Sequence, residues 1–298
     1  MSTFVVERIK QITDCMVNES VSPLVKYAEN IDYIIAMLAD FPSKNAYQKE
    51  LIFLALAPVL GMEKSFLFAN NYYESVWQNI LVRNQELIEQ KQLPILKTSF
   101  ADNSPQNQYL NAVHFVAEQY AYNHIQLKEN DVILDIGAGF GHFAAWAESK
   151  NPAQVFSFES NPILFSYLQE NMETLQKHNV YPQHILLTNQ KGSVQYSLEN
   201  ETIEVETNTL DLWCEENLCK PNFIKIGLDN QTVPCLLGAK NIIQKHKPQL
   251  AIVIGKKLND MWEVPSLIKN LVPEYKLFCR KNAPYGDFIL YVSTTQIQ

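Results

Sequence analysis

Apolar positions divide the chain into two parts with different periods. Up to about residue 125 they recur every three or four residues, the spacing that lines one face of an α-helix. Phe4, Val5, Ile9, Ile12 and Met16 form one stripe; Ile31, Ile34, Ile35 and Leu38 form a second, behind an expected N-cap at Asn30. The same spacing predicts helices over Lys44 to Ala57, Tyr73 to Gln90 and Gln108 to Asn123. Thr98 to Gln106, with Asp102, Asn103, Ser104 and Pro105, reads as a loop or linker.

From residue 130 short β-branched runs alternate with helical segments, the pattern of a parallel sheet with crossover helices. Strands are expected at Val132 to Ile136, Gln154 to Phe158, His184 to Leu187, Phe223 to Ile226 and Leu250 to Ile254. Tyr275 to Phe278 and Phe288 to Val292, separated by a polar segment with Pro and Gly, suit an antiparallel closure of the sheet. The expectation is an α/β, Rossmann-like fold whose mostly parallel seven-stranded sheet has an antiparallel terminal strand, preceded by an α-helical region. Residues 1–105 would form the helical region and 106–298 the ligand-binding domain.

The composition fits this reading: 47% of the 298 residues are hydrophobic and 19% charged, enough to bury a large core. The net charge of −8 is shared by both parts without a basic tail or stripe, which argues against nucleic acid as a partner. Five cysteines with no C-x-x-C read as free thiols in a reducing compartment. The first apolar stretch contains Glu7, Arg8 and Lys10, unlike a secretory leader, and the run Leu51 to Met62 is too short for a bilayer. No membrane association and a cytoplasmic location are therefore expected.

Three of the nine glycines fall within five residues, in Asp135-Ile-Gly137-Ala138-Gly139-Phe-Gly141. The segment follows an apolar strand and opens a helix, so glycine there permits a tight turn and close approach of a ligand to the backbone. A P-loop would need Lys and then Ser or Thr after its last glycine, where this chain has His142 and Phe143. A dinucleotide fingerprint would place its third glycine at His142. The pattern acid-x-Gly-x-Gly-x-Gly of an S-adenosylmethionine loop fits without a mismatch. Glu159, at the end of the next strand, is placed for a carboxylate to accept hydrogen bonds from both ribose hydroxyls, with Ser160 beside it.

The strings Val132 to Phe143, Phe156-Ser-Phe-Glu-Ser-Asn-Pro162, Leu210-Asp211, Phe223-Ile-Lys-Ile226 and Gly238-Ala239 together resemble the FkbM-type S-adenosylmethionine-dependent methyltransferases, over about residues 98–292. Leu38-Ala-Asp-Phe-Pro-Ser-Lys44 is similar to the amino-terminal extension of longer members. The resemblance implies a class I methyltransferase fold and methyl transfer to hydroxyls of sugars or other small molecules. It also implies that Gly137, Gly139, Gly141 and Glu159 line the cofactor site, with Thr188 and Asn189 near the adenine. After the fourth strand the family usually carries Asp, an acid-Gly pair and another acid; this chain has Gly227-Leu-Asp229-Asn230-Gln231-Thr232. Where relatives carry Tyr-His after the fifth strand, Gly255-Lys256 stands here, and Lys281-Asn282 replaces a His-rich segment.

Methyl transfer to a hydroxyl needs positioning and a base for the hydroxyl proton, because the cofactor already carries the electrophile. Asp229 is the remaining base candidate, with Lys225 nearby. Metal is not expected: the six histidines form no metal-spaced pair on one helix face. His142 is expected on a helix surface, and Trp146, Phe156, Phe158, Trp213 and Trp262 in the core. The partners expected are a small hydroxyl acceptor and, given the eroded motif, a protein partner or a second copy. The rival reading is a catalytically degenerate homologue that binds cofactor or another protein.

Overall fold

The computed structural model describes residues 26–60, 73–101, 104–197, 202–283 and 286–295, so the first predicted stripe, Phe4 to Met16, lies outside the described residues. The chain begins with α1 (Ala28–Met37), α2 (Phe41–Leu60) and α3 (Tyr73–Glu89), followed by α4 (Pro105–Asn111), which runs into a π-helical turn at Ala112–Val116. Asn30 is not the cap of α1: the helix starts at Ala28, with Tyr27 in the capping position. α4 is shorter and earlier than Gln108 to Asn123. Ser104 accepts from the Asn107 amide and Pro105 takes the first turn, so the start signal sits inside the stretch expected as loop.

Then follow β1 (Val132–Ile136), α5 (His142–Glu148), β2 (Gln154–Phe158), α6 (Pro162–Thr174), β3 (Val180–Gln183), β4 (Leu186–Leu187), β5 (Gly192–Ser197) and β6 (Thr202–Asn208). The remainder comprises α7 (Leu210–Glu216), β7 (Phe223–Ile226), α8 (Thr232–Leu237), α9 (Lys240–His246), β8 (Gln249–Ile254), α10 (Asp260–Leu271), β9 (Lys276–Lys281) and β10 (Phe288–Ser293). Seven strands form one sheet in the order β3-β2-β1-β7-β8-β10-β9, and β4-β6-β5 form a second, three-stranded sheet. Neighbours from β3 to β8 are parallel, whereas β10 is antiparallel to both β8 and β9.

The third strand of the large sheet is Val180–Gln183, not His184 to Leu187; Leu186 and Leu187 leave that sheet and pair with Thr207 and Asn208 of β6. Proline is disfavoured inside a strand because it removes a donor, but β3 is an edge strand and accommodates Pro182.

β8 and β10 are buried on both faces, which is why they read as nearly continuous apolar runs, and β7 is equally buried although it carries Lys225. Leu250, Ile252 and Ile254 of β8 join a core with α1, α2, α7 and α10, whereas Ala251 and Val253 join a core with α5 and α6. The helical beginning of the chain covers the β9 edge: Leu38 bridges Leu277, and the Ala39 amide donates to the Leu277 carbonyl at 2.9 Å. Arg280 on β9 locks this contact through Asp40 at 3.0 Å and Ser43 at 2.7 Å, with its guanidinium 4.0 Å from the Tyr122 ring centre. Four of the five cysteines fall in the described residues, and all four are buried free thiols. No described helix is long and apolar enough to cross a membrane.

Candidate functional site

The carboxyl ends of β1, β2 and β7 open onto one edge of the sheet, where a cavity of about 370 Å³ lies between Gly137, Gly139, Glu159, Leu187 and Asp229. The three glycines of the loop shape it for three different reasons. A Cβ at Gly137 would sit 2.3 Å from the Gly227 carbonyl oxygen, so only glycine lets the loop close onto the end of β7. A Cβ at Gly141 would meet Met172 and Leu168 at 2.8 and 2.9 Å, so its bareness lets α5 pack against α6. Gly139 lines the cavity, and a Cβ there would meet nothing within 4 Å. The space that its side chain would have filled is left as a cradle for a ligand. All three have positive φ, from 57 to 92°, a conformation costly for side-chain-bearing residues.

Glu159 closes the cavity from the end of β2. Its Oε2 accepts from the Gly139 amide and its Oε1 from the Asn161 amide, each at 2.8 Å. Each oxygen keeps a second acceptor position. Ile185, Leu187 and Phe158 give an apolar slot beyond it, of the kind that takes a flat ring. Ser160 also lines the cavity. Thr188 and Asn189 follow this slot but lie outside its lining, against α8: a Cβ at Gly238 would fall 2.0 Å from the Thr188 carbonyl oxygen. Ala138 and Gly141 are likewise outside the lining and belong to the packed side of the loop.

Asp135, the acid of the expected cofactor loop, and Lys225, expected beside the base candidate Asp229, meet each other. Lys225 Nζ lies 2.9 Å from Asp135 Oδ1 and 2.6 Å from the Gly137 carbonyl oxygen, and the two side chains are only 5% and 0% exposed. Burial pushes the Asp135 carboxyl upward, with Lys225 the main opposing influence. The pair ties β1 to β7 directly beneath the loop, and neither residue lines the cavity. Gly227 makes this arrangement possible, since a side chain there would crowd the Lys225 Cε and Nζ at 3.1 Å.

Asp229 is exposed on the turn after β7 and lines the cavity. Lys256, at the end of β8, forms an ion pair with Asp287 at 3.1 Å. Burial opposes its charge, but Asp287 and then Asp229 outweigh this and hold the ammonium above the usual lysine range. His142, expected on a surface, is instead buried: its ring lies 5.4 Å from that of His114 and edge-on to Phe140. The aromatic expectation holds for Trp146, Phe158, Trp213 and Trp262, which are all buried in the two cores, and Phe156 is partly buried against Trp213. No cluster of three or more metal-ligating side chains exists among the described residues.

Residues 103–208 match the family described as ribosomal RNA adenine dimethylase, a span holding the glycine loop and Glu159 but none of the strands from β7 onward. Among curated proteins the chain is 28% identical over 132 residues to the hexuronic acid methyltransferase AglP of Haloferax volcanii, covering 40% of this chain and 54% of that one. A 55-residue stretch, 18% of this chain and 22% of the relative, is 38% identical to the tRNA(Phe) (4-demethylwyosine(37)-C(7)) aminocarboxypropyltransferase of Methanocaldococcus jannaschii. The chain thus spans about half the length of the first relative and a fifth of the second. Among solved structures, methyltransferase FkbM from Methylobacillus flagellatus superposes with a TM-score of 0.63 at 16% identity, over 93% of this chain and 61% of that one. The chain has the class I methyltransferase fold, and its glycine loop with Glu159 fits S-adenosylmethionine.

Proposed function

We propose that the protein is an S-adenosylmethionine-dependent O-methyltransferase acting on a hydroxyl of a sugar or another small molecule. One observation carries the reading: a glycine-floored cavity with an open cradle at Gly139, closed by a Glu159 carboxylate that two backbone amides already orient. When bound, S-adenosylmethionine supplies the methyl electrophile. Glu159 receives the ribose hydroxyls, the slot of Ile185 and Leu187 takes the adenine, and Ser160 borders the nucleoside, while Thr188 and Asn189 support the slot from outside the lining. Asp135 and Lys225 hold the loop in shape. Asp229, which lines the same cavity, takes the hydroxyl proton. The hexuronic acid methyltransferase relative supports a sugar acceptor, and the net charge of −8 weighs against the nucleic acid named in the family match.

Calorimetric titration with S-adenosylhomocysteine tests the cofactor half. Micromolar binding is expected, weakened at least tenfold by Glu159→Ala; equal affinity in the variant would remove Glu159 from the site. Transfer of a labelled methyl group to methyl glycosides tests the reaction half. Asp229→Asn should lower turnover about 100-fold with cofactor affinity unchanged. Gly227 and Lys256, standing where the resembled family carries an acid and a His, favour a second reading as a non-catalytic cofactor-binding subunit. Detection of any methylated product excludes it.

A further inference from the structure

A second cavity, of about 270 Å³, opens on the same edge of the sheet, between α2 and the ends of β8, β9 and β10. Its walls are of two kinds. Phe53 and Leu54 of α2 are apolar, whereas Glu50, Lys281, Lys256 and Asp287 form two ion pairs facing the same space. The Glu50 and Lys281 pair is doubly bonded at 2.9 and 3.0 Å, and its side chains are only 6% and 7% exposed. Lys281 Nζ also stands 4.6 Å above the Phe53 ring. Burying a charged pair costs desolvation that its mutual attraction repays poorly, so it is a weak device for stability alone. Both pairs border a cavity, where a carboxylate can accept hydroxyl protons and an ammonium can donate to hydroxyl oxygens.

The cavity neighbours the cofactor site. β7 and β8 are adjacent parallel strands with Ile226, the last residue of β7, opposite Ile252, so the end of β7 lies about 5 Å from β8, which runs on two residues further to Ile254. Gly227 lines the first cavity and Val253 the second, and a Cβ at Gly227 would be 3.7 Å from Val253 Cγ2. Both Asp287, which lines the second cavity, and more weakly Asp229, which lines the first, act on the Lys256 ammonium.

We infer that this second cavity is the acceptor site, and that it takes one polyhydroxylated ring. The inference rests on the methyltransferase reading and adds to it the place and the residues that hold the acceptor. Two carboxylates and two ammoniums supply both the acceptors and the donors that vicinal hydroxyls need, and the apolar wall of Phe53 and Leu54 suits the C–H side of a ring. The volume lies just below the roughly 300 Å³ at which pockets for drug-sized ligands begin, which suits a single ring better than a chain of several. α2 is thereby part of the acceptor site and not only a cover for the sheet edge.

The test uses the full chain with S-adenosylhomocysteine present and saturation-transfer NMR on methyl β-D-glucopyranoside and methyl β-D-glucuronide, with cyclohexanol as the comparison. Transfer to a glycoside in preference to cyclohexanol is expected. Leu54→Trp, which fills the cavity, should lower glycoside affinity at least tenfold and leave the calorimetric affinity for S-adenosylhomocysteine unchanged. The paired change Glu50→Gln with Lys281→Met removes the charges together and should have the same effect through chemistry instead of volume. Glycoside binding undiminished in a folded variant of either kind would overturn the location. Transfer to neither glycoside, or to cyclohexanol alone, in a protein that binds S-adenosylhomocysteine would overturn the ligand class. Failure of the unaltered chain to bind S-adenosylhomocysteine would strike the cofactor reading itself, and this inference with it.

Discussion

At the scale of single residues, the buried pair beneath the glycine loop has the clearest energetic consequence. Lys225→Met would leave the Asp135 carboxylate without its partner in a fully buried position, which costs about 3–5 kcal/mol. Adding Asp135→Asn should restore most of that loss, because a neutral amide does not need a counter-charge; urea denaturation of both variants measures the difference. Stability recovered by less than about 1 kcal/mol would contradict a pairing role. The sequence presents both residues as polar positions at the ends of apolar strands, and so as candidates for contact with ligand or substrate. What it does not present is that they face each other, since they are 90 positions apart and meet only because β1 and β7 are neighbours. Glu159 was easier to place: a strand end at a fixed distance after a glycine loop is a local pattern, and local patterns survive in one dimension. The burial of His142 was not legible, because His114 reaches it from a different element.

At the scale of elements, the central strands are legible nearly to the residue, because each is a short run dominated by apolar residues with a single buried polar residue within it, Asp135, Ser157 or Lys225: β1, β2 and β7 match their expected bounds. Edge elements were not. β3 carries Pro182 and an exposed Tyr181, features that suit an edge and mask a strand. The β5 and β6 hairpin was missed although Ile203, Val205 and Thr207 alternate with Thr202, Glu204 and Glu206, a period-two signal inside a polar segment. The small sheet matters for the site because Leu187 of β4 lines the apolar slot, and α8 ends against the turn that follows it. Gly238→Ala therefore tests coupling between elements. The added methyl meets the Thr188 carbonyl at 2.0 Å while φ stays ordinary, so its cost of about 1–3 kcal/mol is crowding and not backbone strain. The slot should shift with Thr188, and affinity for S-adenosylhomocysteine should fall several-fold; unchanged affinity would show that the slot moves independently of α8.

At the scale of the whole molecule, the buried His142 and the partly buried His114 tie folding to pH. His114 sits on the π-helical turn with Nδ1 2.8 Å from the Leu110 carbonyl, its ring beside Tyr120 and His142. Burial lowers its pKa to about 4, against a raising influence from the Leu110 carbonyl and a further lowering by Lys225, with Asp287 acting weakly upward. His142 is lowered by burial and by His114. A histidine whose pKa is depressed on folding is protonated more readily in the unfolded chain, so its contribution is intact above about pH 6.5 and is lost as pH falls toward 4. From pH 7 to pH 5 His114 alone should remove about 2 kcal/mol. Asp135 and Glu50, whose pKa values burial raises, take up protons in the folded state and act in the opposite direction at the acid end. The discriminating measurement is therefore a difference: urea denaturation of the native chain and of His114→Phe at pH 7 and pH 5. The variant should lose less stability over that interval by about 2 kcal/mol, and parallel losses would show that His114 does not carry the acid sensitivity. Because the folded-state pKa is about 4, His114 stays largely uncharged in the folded chain at pH 5, so over this interval the proton is taken up by the unfolded chain and the affinity of the folded protein for S-adenosylhomocysteine should be the same in the native chain and in His114→Phe.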